Sequence, residues 1–297
     1  MNFQRKSREE ERMSQIKMIG LDLDGTLLNT KKELSTYSKE ILQRAIQKGI
    51  VVLVATGRPF TGIPEELRNF PGMRYALTSN GARILDTEKQ EVLMEELLPR
   101  EDAIRALKVF RKYDTMQEIY YDGQGYADEE KLLHVDRYHH NPHMRPYVKN
   151  SRKGVPDVLA MAEDREQDMD KIQGLFADME ERAAAWKELE QDPKLELVGS
   201  LKYNIEINTA GVNKGKGLVK LGELLGIRRE EIMACGDGDN DITMLKEVGF
   251  GVAMANAEQA VLETADYITL SNDEDGVAKA IEKFVLSDDK MRGEKSC

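Results

Sequence analysis

"IGLDLDGTLLN", residues 19–29, is the stretch that decides the fold. An apolar run leads directly into two carboxylates, Asp22 and Asp24, which are followed at once by Gly25 and Thr26. An apolar run that ends in a sharp polar turn is typical of a buried parallel strand. Burying two acids close together costs free energy unless positive charge lies between them. The stretch therefore predicts a polar site at the end of a buried strand.

Helix-like and strand-like segments alternate on both sides of a long central region. "STYSKEILQRAIQKGI" has the apolar spacing of an amphipathic helix that ends at Gly49, and "IVVLVATGRP" and "RYALTSNGA" are typical of strands that end in polar turns. The rhythm returns near the C-terminus in "NKGKGLVKLGELLGI", "EIMACGDGDND", "DITMLKEVG", "FGVAMANA", "DYITLS" and "GVAKAIEKFVL". This alternation predicts an α/β fold, a doubly wound Rossmann-like parallel sheet core formed by residues 16–84 and 208–286.

The central region, residues 85–207, lacks the strand–turn–helix rhythm. "EDAIRALKVFRKY" and "KIQGLFADMEERAAAWKELE" are interpreted as helices, and "MQEIYYDGQGYA" as a hairpin that turns at Asp122 and Gly123. "LELVGSLKYNIEIN" is interpreted as two strands that meet at Gly199 and Ser200. These segments predict a separate α+β domain inserted into the core.

The charge balance is acidic, because 43 Lys and Arg stand against 54 Asp and Glu and give a net charge of −11. Such a surface repels a phosphate backbone, so we expect no nucleic-acid partner, although a local positive pocket still permits a small anionic substrate. No apolar run approaches the ~20 residues of a membrane-spanning helix, so we expect no membrane partner. The oligomeric state is left open between monomer and homodimer.

Two cysteines, Cys235 and Cys297, in 297 residues favour a reducing compartment, and we expect a cytoplasmic protein without a disulfide. Residues 1–15 are charged and have no apolar stretch, which predicts a disordered leader with Met13 as an alternative start. Residues 287–297 are predicted to be a flexible tail.

Four polar turns follow predicted core strands, namely "DLDGT", "ATGRP", "TSNGA" and "GDGDND". Ligands of open α/β sheets bind beyond the carboxyl ends of the strands, so these turns should meet. Asp22 and Asp24 are two residues apart and should point the same way, with Asp237 and Asp241 opposite. A few carboxylates with water suit Mg²⁺, which usually binds beside phosphate oxygens. For Asp241 taken alone, a cap or turn role is the better interpretation.

In this order, "DLDGT", "TGR", "NKGKG" and "GDGDND", with a long insert between the second and third, resemble the haloacid dehalogenase-like phosphatases. "DLDGTLL", "SNGA", "GVNKGKGL", "GDGDNDITML" and "GVAMANA" resemble the Cof-type subfamily, and the resemblance covers nearly all of residues 17–285. It implies that the insert is a cap domain, a lid that excludes water and selects the substrate. The implied activity is Mg²⁺-dependent hydrolysis of a small phosphorylated metabolite, either a sugar phosphate or a phosphorylated cofactor.

The resemblance also implies roles for the acidic residues. Asp22 would be the nucleophile that forms an aspartyl-phosphate, and Asp24 would protonate the leaving oxygen and then activate water. The side chains of Asp22 and Asp237 and the backbone carbonyl of Asp24 would hold Mg²⁺. Asp241 and Asn240 would support the metal from behind or touch it through water.

The remaining implied site residues handle the phosphoryl group and the substrate. Thr56 and the amide of Gly57 would hydrogen-bond the phosphoryl oxygens, and Lys214 would neutralise the nucleophile and the phosphate. Lys214 is preferred to Lys216 because it follows Asn213 at the predicted helix start. Two further turn residues, Arg58 and Asn80, are candidates for substrate contact, although a surface ion pair explains Arg58 equally well.

Two other functions stay open at this point. The same motifs also resemble a phosphomannomutase-like phosphotransferase, which would pass the phosphoryl group to a sugar. A catalytically idle protein that binds a ligand through its insert is the third possibility. The insert also carries all four histidines, His134, His139, His140 and His143, for which a solvated, phosphate-facing loop is favoured over a metal site.

Overall fold

Strand β1, Met18–Leu21, lies in the middle of an eight-stranded sheet. The computed structural model describes residues 16–287, so the predicted leader over 1–15, Cys297 and all but the first residue of the predicted tail lie outside the described residues. In spatial order the strands of this sheet are β14 (Tyr267–Ile268), β13 (Phe250–Ala253), β12 (Ile232–Gly236), β1, β2 (Val51–Ala55), β3 (Tyr75–Thr78), β4 (Arg83–Asp86) and β5 (Glu91–Glu95). The pairs from β14 to β3 are parallel, and β4 and β5 add an antiparallel edge.

Helices cover both faces of this sheet, because successive side chains of a strand point to opposite faces. On one face lie α1 (Thr36–Gln47) and α12 (Gly276–Phe284), which pack on Ile19 and Leu21. On the other lie α9 (Lys214–Leu224), α10 (Ile242–Glu247) and α11 (Gln259–Thr264), which pack on Met18 and Leu53. The short helix α2 (Glu65–Arg68) follows β2. The predicted doubly wound core is therefore confirmed.

The inserted region forms a second sheet of six strands. In spatial order these are β10 (Leu195–Val198), β11 (Asn204–Thr209), β9 (Lys171–Phe176), β6 (Thr115–Tyr121), β7 (Gln124–Asp128) and β8 (Arg152–Val155). Its helices are α3 (Arg100–Phe110), α4 (Glu129–Leu133), α5 (Val135–Tyr138), α6 (Arg145–Ser151), α7 (Val158–Asp164) and α8 (Met179–Leu189). Helices α3, α7 and α8 bury the apolar face of this sheet, which we call the cap sheet.

The boundaries between the core and the inserted cap differ from those predicted from the sequence. Residues 85–95 were expected in the cap, but β4 and β5 extend the core sheet. The chain first pairs with the backbone of the cap at Leu98, which forms an antiparallel β-bridge with Met169. At the other end, β11 pairs with β9 through Ile207, so the cap continues to Thr209. A hairpin attached to the edge of a parallel sheet lacks the strand–helix rhythm and therefore looks like part of the insert.

One segment predicted as a helix contains a strand. The first six residues of "KIQGLFADMEERAAAWKELE" are β9, the strand between β6 and β11 in the cap sheet, and the helix begins only after Asp178. The carboxylate of Asp178 accepts hydrogen bonds from the amides of Glu180 and Glu181, which marks the true helix start. The hairpin turning at Asp122 and Gly123 is found as predicted. None of the helices between residues 16 and 287 combines the length and hydropathy that crossing a membrane requires.

Candidate active site

The loop after β1 brings Asp22 to the end of the core sheet. Its amide donates to the carbonyl of Cys235 on β12, and its side chain is buried. Gly25 then takes a left-handed conformation, with φ of 92°, and a Cβ at this position would lie 2.3 Å from a carboxylate oxygen of Asp237. Both the turn and the close approach therefore require glycine here.

Three carboxylates from two loops converge at this point. Ligand oxygens of Asp22, Asp237 and Asp241 all lie within 4.8 Å of one another. Thr26 donates to Asp237 at 2.6 Å, and Oδ2 of Asp241 accepts from the amides of Asp237 and Gly238 at 2.9 and 3.1 Å. Burial raises the pKa of Asp22 to about 7, and burial together with its acidic neighbours holds the pKa of Asp237 well above its ordinary range.

Lys214 supplies the positive charge beside these acids. It is the first residue of α9, whose N-cap is Asn213, and its side chain is fully buried. Its Nζ donates to Asp22 at 2.6 Å and to Asp241 at 2.7 Å. Burial lowers the pKa of Lys214, but the two carboxylates more than offset this and raise it above its ordinary value. Lys216, the alternative, is exposed.

The acid cluster has the donors that a hard divalent cation prefers. Three ionised carboxylates against one ammonium group would leave a net charge of minus two. Burial first, and the neighbouring acids after it, raise the pKa values of Asp22 and Asp237, so ionising all three acids here needs further positive charge. Both oxygens of Asp241 are already engaged, with Lys214 and with two amides, so this residue fits a supporting place behind the ion. The residues present therefore fit Mg²⁺.

The carboxylate of Asp24 lies outside this cluster. Arg58 binds it through Nε and Nη2, both at 2.6 Å, and Lys32 lies 2.9 Å away. Burial alone would raise the pKa of Asp24, but the two cations hold it below its ordinary range. As a metal ligand Asp24 therefore has only its backbone carbonyl to offer. Arg58 does pair with an acid, but Arg58 is buried rather than on the surface. Lys32, the second partner of Asp24, was not predicted from the sequence.

The turns after β2 and β3 complete the site. The buried hydroxyl of Thr56 accepts from the amide of Arg58 at 3.1 Å. Asn80 has a left-handed backbone with φ of 60°, and its side-chain oxygen accepts from Asn240 at 3.3 Å. A Cβ on Gly57 would lie 2.8 Å from that same oxygen, so glycine lets the two turns meet.

A pocket of about 270 Å³ lies between this polar edge of the core and the cap. Asp22, Asp24 and Asp237 line its floor, and Arg152, Lys171 and Gln173 belong to its cap side. Three of the four predicted turns, "DLDGT", "ATGRP" and "GDGDND", thus line one cavity that is closed by the inserted domain, and no residue of "TSNGA" lines it.

A family model for haloacid dehalogenase-like hydrolases matches residues 19–281. The chain belongs to the haloacid dehalogenase-like hydrolases. This confirms the predicted membership, including the Cof-type subfamily, and accounts for the core with its inserted cap.

Several similar proteins carry the name of phosphatases. A 5-amino-6-(5-phospho-D-ribitylamino)uracil phosphatase of Bacillus subtilis strain 168, YcsE, is 34% identical over 281 residues, which is 91% of this chain and 96% of that protein. The pyridoxal phosphate phosphatase YbhA of Escherichia coli K12 is 30% identical, covering 91% of this chain and 99% of that protein. The solved structure of a haloacid dehalogenase-like hydrolase from B. subtilis matches with a TM-score of 0.81 and 30% identity, covering 90% and 99%. This hydrolase is a phosphatase of the phosphoric monoester type.

The cap side of the pocket was not singled out in the sequence of this hydrolase. Lys171 and Gln173 on β9 alternate with apolar residues, as do Asn204 and Glu206 on β11, and all four line the pocket. The alternation is readable in "KIQGLF" and "NIEINT", but a polar strand face ordinarily indicates solvent. Here it faces the core of the hydrolase instead.

Glu206 ties the cap to the core. It forms an ion pair of 2.5 Å with Lys171 and accepts from the side-chain nitrogen of Asn80 at 2.7 Å. Burial would raise the pKa of Glu206, but Lys171 and the hydrogen bonds of Ser200 and Asn80 lower it. Asn80, which was predicted to face the substrate, is therefore engaged with the cap.

The histidine-rich segment agrees with the solvated-loop interpretation at three of its four histidines. Within residues 16–287, the acid cluster is the one group of three or more metal-ligating residues, so the four histidines form no such group. His134, His140 and His143 are exposed, but His139 is buried and its Nδ1 lies 3.0 Å from the hydroxyl of Tyr203. A solvated loop was therefore wrong for His139, which packs in the cap.

Proposed function

We propose that this chain is a Mg²⁺-dependent phosphatase that hydrolyses a small phosphorylated metabolite through an aspartyl-phosphate formed on Asp22. The observation that carries the proposal is the position of Asp22, which lines the pocket floor, accepts a hydrogen bond from Lys214 and lies beside Asp237 and Asp241. A carboxylate held beside a buried ammonium group is a nucleophile whose charge is offset without being removed.

In the first half-reaction, an oxygen of Asp22 attacks phosphorus while the bond to the leaving alcohol breaks. Asp24 donates a proton to the oxygen of the leaving group. The Thr56 hydroxyl and the Gly57 amide donate hydrogen bonds to the phosphoryl oxygens. Because Arg58 and Lys32 lower the pKa of Asp24, proton donation is the demanding part of this half-reaction for a poor leaving group.

In the second half-reaction, water attacks phosphorus and the bond to Asp22 breaks. Asp24, now ionised, takes the proton from the water, and inorganic phosphate leaves. Lys214 stays within hydrogen-bond reach of Asp22 throughout and balances its charge. Mg²⁺, held by Asp22, Asp237 and the carbonyl of Asp24 with Asp241 behind it, would supply the further positive charge that phosphoryl transfer needs.

The cap side of the pocket supports an uncharged, hydrogen-bonding leaving group. Among the described residues that line the pocket, each cation is already paired with a carboxylate: Lys32 and Arg58 with Asp24, Arg152 with Glu118, and Lys171 with Glu206. A second phosphate would find no free cation there, whereas the amides of Gln173 and Asn204 suit hydroxyl or amide groups. The substrates named for YcsE and YbhA are likewise small phosphorylated molecules.

The proposal is tested with p-nitrophenyl phosphate and a panel of phosphorylated metabolites in the presence of Mg²⁺. We expect hydrolysis by the wild type, loss of hydrolysis in Asp22→Asn, and reversible loss on EDTA treatment. Full activity of Asp22→Asn would refute the proposed nucleophile. Conversion of a hexose 1-phosphate to the 6-phosphate without release of inorganic phosphate would instead favour a phosphotransferase, and no turnover of any ester would favour an idle binding protein.

A further inference from the structure

The guanidinium group of Arg58 has a partner on each of its nitrogens. Nε and Nη2 donate to Asp24, and Nη1 donates to the carbonyl of Gly62 at 2.8 Å. These bonds lie along the edges of the planar group, so they fix its direction but leave its faces uncovered. The bonds therefore set the direction of Arg58 in its plane, and what packs on its faces limits the tilt of that plane and of the Asp24 carboxylate bound to it.

The cap packs on one face. The ring of Tyr147, on α6, lies with its centroid 4.2 Å from the central carbon of Arg58, well within the range of a cation–π contact. Met144 adds a sulfur 4.0 Å from Nη2. A residue that binds Asp24 in the core is thus covered by side chains that belong to the cap.

Tyr147 is itself held in place from two sides. Arg152 lies 5.2 Å from its ring centroid and donates from Nη1 to its hydroxyl at 3.3 Å. On the core side the hydroxyl lies against Gly62, where an added Cβ would approach it to 2.3 Å. The ring of Tyr147 is therefore packed between Arg152 of the cap and Arg58 of the core.

We propose that Tyr147 is a positioning residue through which the cap sets the orientation of Asp24 by way of Arg58. The proposal rests on the proposed function, because it gives Asp24 the proton transfer at the leaving oxygen. When the cap lies on the core, Tyr147 fixes the plane of Arg58, and Arg58 holds the carboxyl of Asp24 in the direction of the leaving group. Proton donation is thereby tied to the closed arrangement, in which the substrate is enclosed.

The dependence of the rate on the leaving group tests the positioning role. A purely structural defect would lower the rates for all esters alike and leave their ratio unchanged. A nitrophenolate leaves readily without a proton, whereas an alkoxide needs one. In Tyr147→Leu we expect the single-turnover rate of alcohol release to fall by about tenfold or more for an alkyl phosphate ester, chosen as the best of ribose 5-phosphate, glucose 6-phosphate and glycerol 3-phosphate for the wild type. The single-turnover rate of nitrophenolate release should change little, because that half-reaction needs no proton from Asp24. Tyr147→Phe keeps the ring on Arg58 and should retain the wild-type ratio of the two rates.

A matched control separates positioning from docking. Thr61, beside Gly62, donates from its hydroxyl to the carbonyl of Gly123 in the cap at 2.6 Å, away from the ring of Tyr147 that covers Arg58. Thr61→Val loosens the same contact between core and cap, and its ratio of rates should stay at the wild-type value. Gly62→Ala displaces the Tyr147 hydroxyl without removing the ring and serves if Tyr147→Leu does not fold, with the same direction of change expected.

The outcomes distinguish this inference from the proposed function. An equal loss of both single-turnover rates in Tyr147→Leu, or an unchanged ratio in Gly62→Ala where Tyr147→Leu does not fold, would overturn the positioning role and leave the phosphatase proposal intact. A ratio that changes as much in Thr61→Val as in Tyr147→Leu would also overturn it. A wild type that hydrolyses neither kind of ester would overturn both.

Discussion

Lys214 lies between Asp22 and Asp241, with its ammonium nitrogen 2.6 Å from one carboxylate and 2.7 Å from the other. All three side chains are buried, so water screens neither contact. One cation therefore neutralises two acids that come from different loops of the sheet, and the loss of Lys214 would remove this shared counter-charge from both.

Lys214→Met should lower kcat for p-nitrophenyl phosphate by about 10²–10³-fold, because it removes a donor aimed at the reacting carboxylate. Steady-state kinetics measures this. Lys216→Met, at the exposed lysine one position beyond Gly215, is the matched control and should behave as the wild type. A Lys214→Met enzyme as active as that control would contradict the role given to Lys214.

Mg²⁺ should raise the thermal unfolding midpoint, because an ion bound only by the folded protein stabilises it by about 3 kcal/mol at a hundredfold excess over its Kd. Asp237→Asn removes one charge from the acid cluster and should abolish most of this shift. Differential scanning fluorimetry with and without EDTA reports both. Asp239→Asn, an exposed position in the same turn, should keep the full shift, and an undiminished shift in Asp237→Asn would count against the metal site.

Glu206→Gln should destabilise the fold by about 3–5 kcal/mol, because it leaves the buried ammonium group of Lys171 without a counter-charge. Urea unfolding gives the free energy. The double variant Lys171→Met with Glu206→Gln removes both charges and should recover a large part of the loss. If the double variant is as unstable as the sum of the two single variants, the ion pair is not the cause.

Stability should depend on pH through His139. Burial lowers the pKa of His139 from 6.5 to about 4. Between these values the unfolded chain binds a proton that the folded chain excludes, so the free energy of unfolding should fall as pH drops from about 6.5 to about 4, by roughly 3 kcal/mol in all.

Urea unfolding midpoints across this pH range measure the effect of His139. His139→Gln cannot titrate and should flatten the profile over this interval, although it also weakens the contact with Tyr203. The same exchange at the exposed His143 is the matched control. Parallel profiles for the wild type and His139→Gln would refute the assignment.

The core was predictable because its signals are local. Each core strand is a short apolar run with a polar turn at its end, and parallel pairing brings those turns to one edge. That geometry predicts that Asp22 and Asp237 lie together, whereas the place of Lys214 was predicted from the family resemblance. The extension of the core by β4 and β5 was missed, because an antiparallel hairpin carries no sign of which sheet it joins.

The cap side of the site was less predictable, since its residues depend on what covers them. The alternation of Lys171 and Gln173 with apolar neighbours is visible in the sequence, but whether that polar face meets solvent or another domain is a tertiary fact. The partners of Asp24 are likewise non-local. Lys32 is an unremarked turn residue with φ of 65°, and only the folded loop brings it to the carboxylate.

The contact between cap and core includes hydrogen bonds of Asn80 with Glu206, Arg83 with Asp170, and Thr61 with the Gly123 carbonyl. Water can form equivalent hydrogen bonds with each of these groups if the two domains separate, so these contacts oppose separation only weakly. An interface with such contacts suits a cap that opens and closes in every catalytic cycle. An enzyme needs this if its substrate enters, and its phosphate leaves, through the same opening.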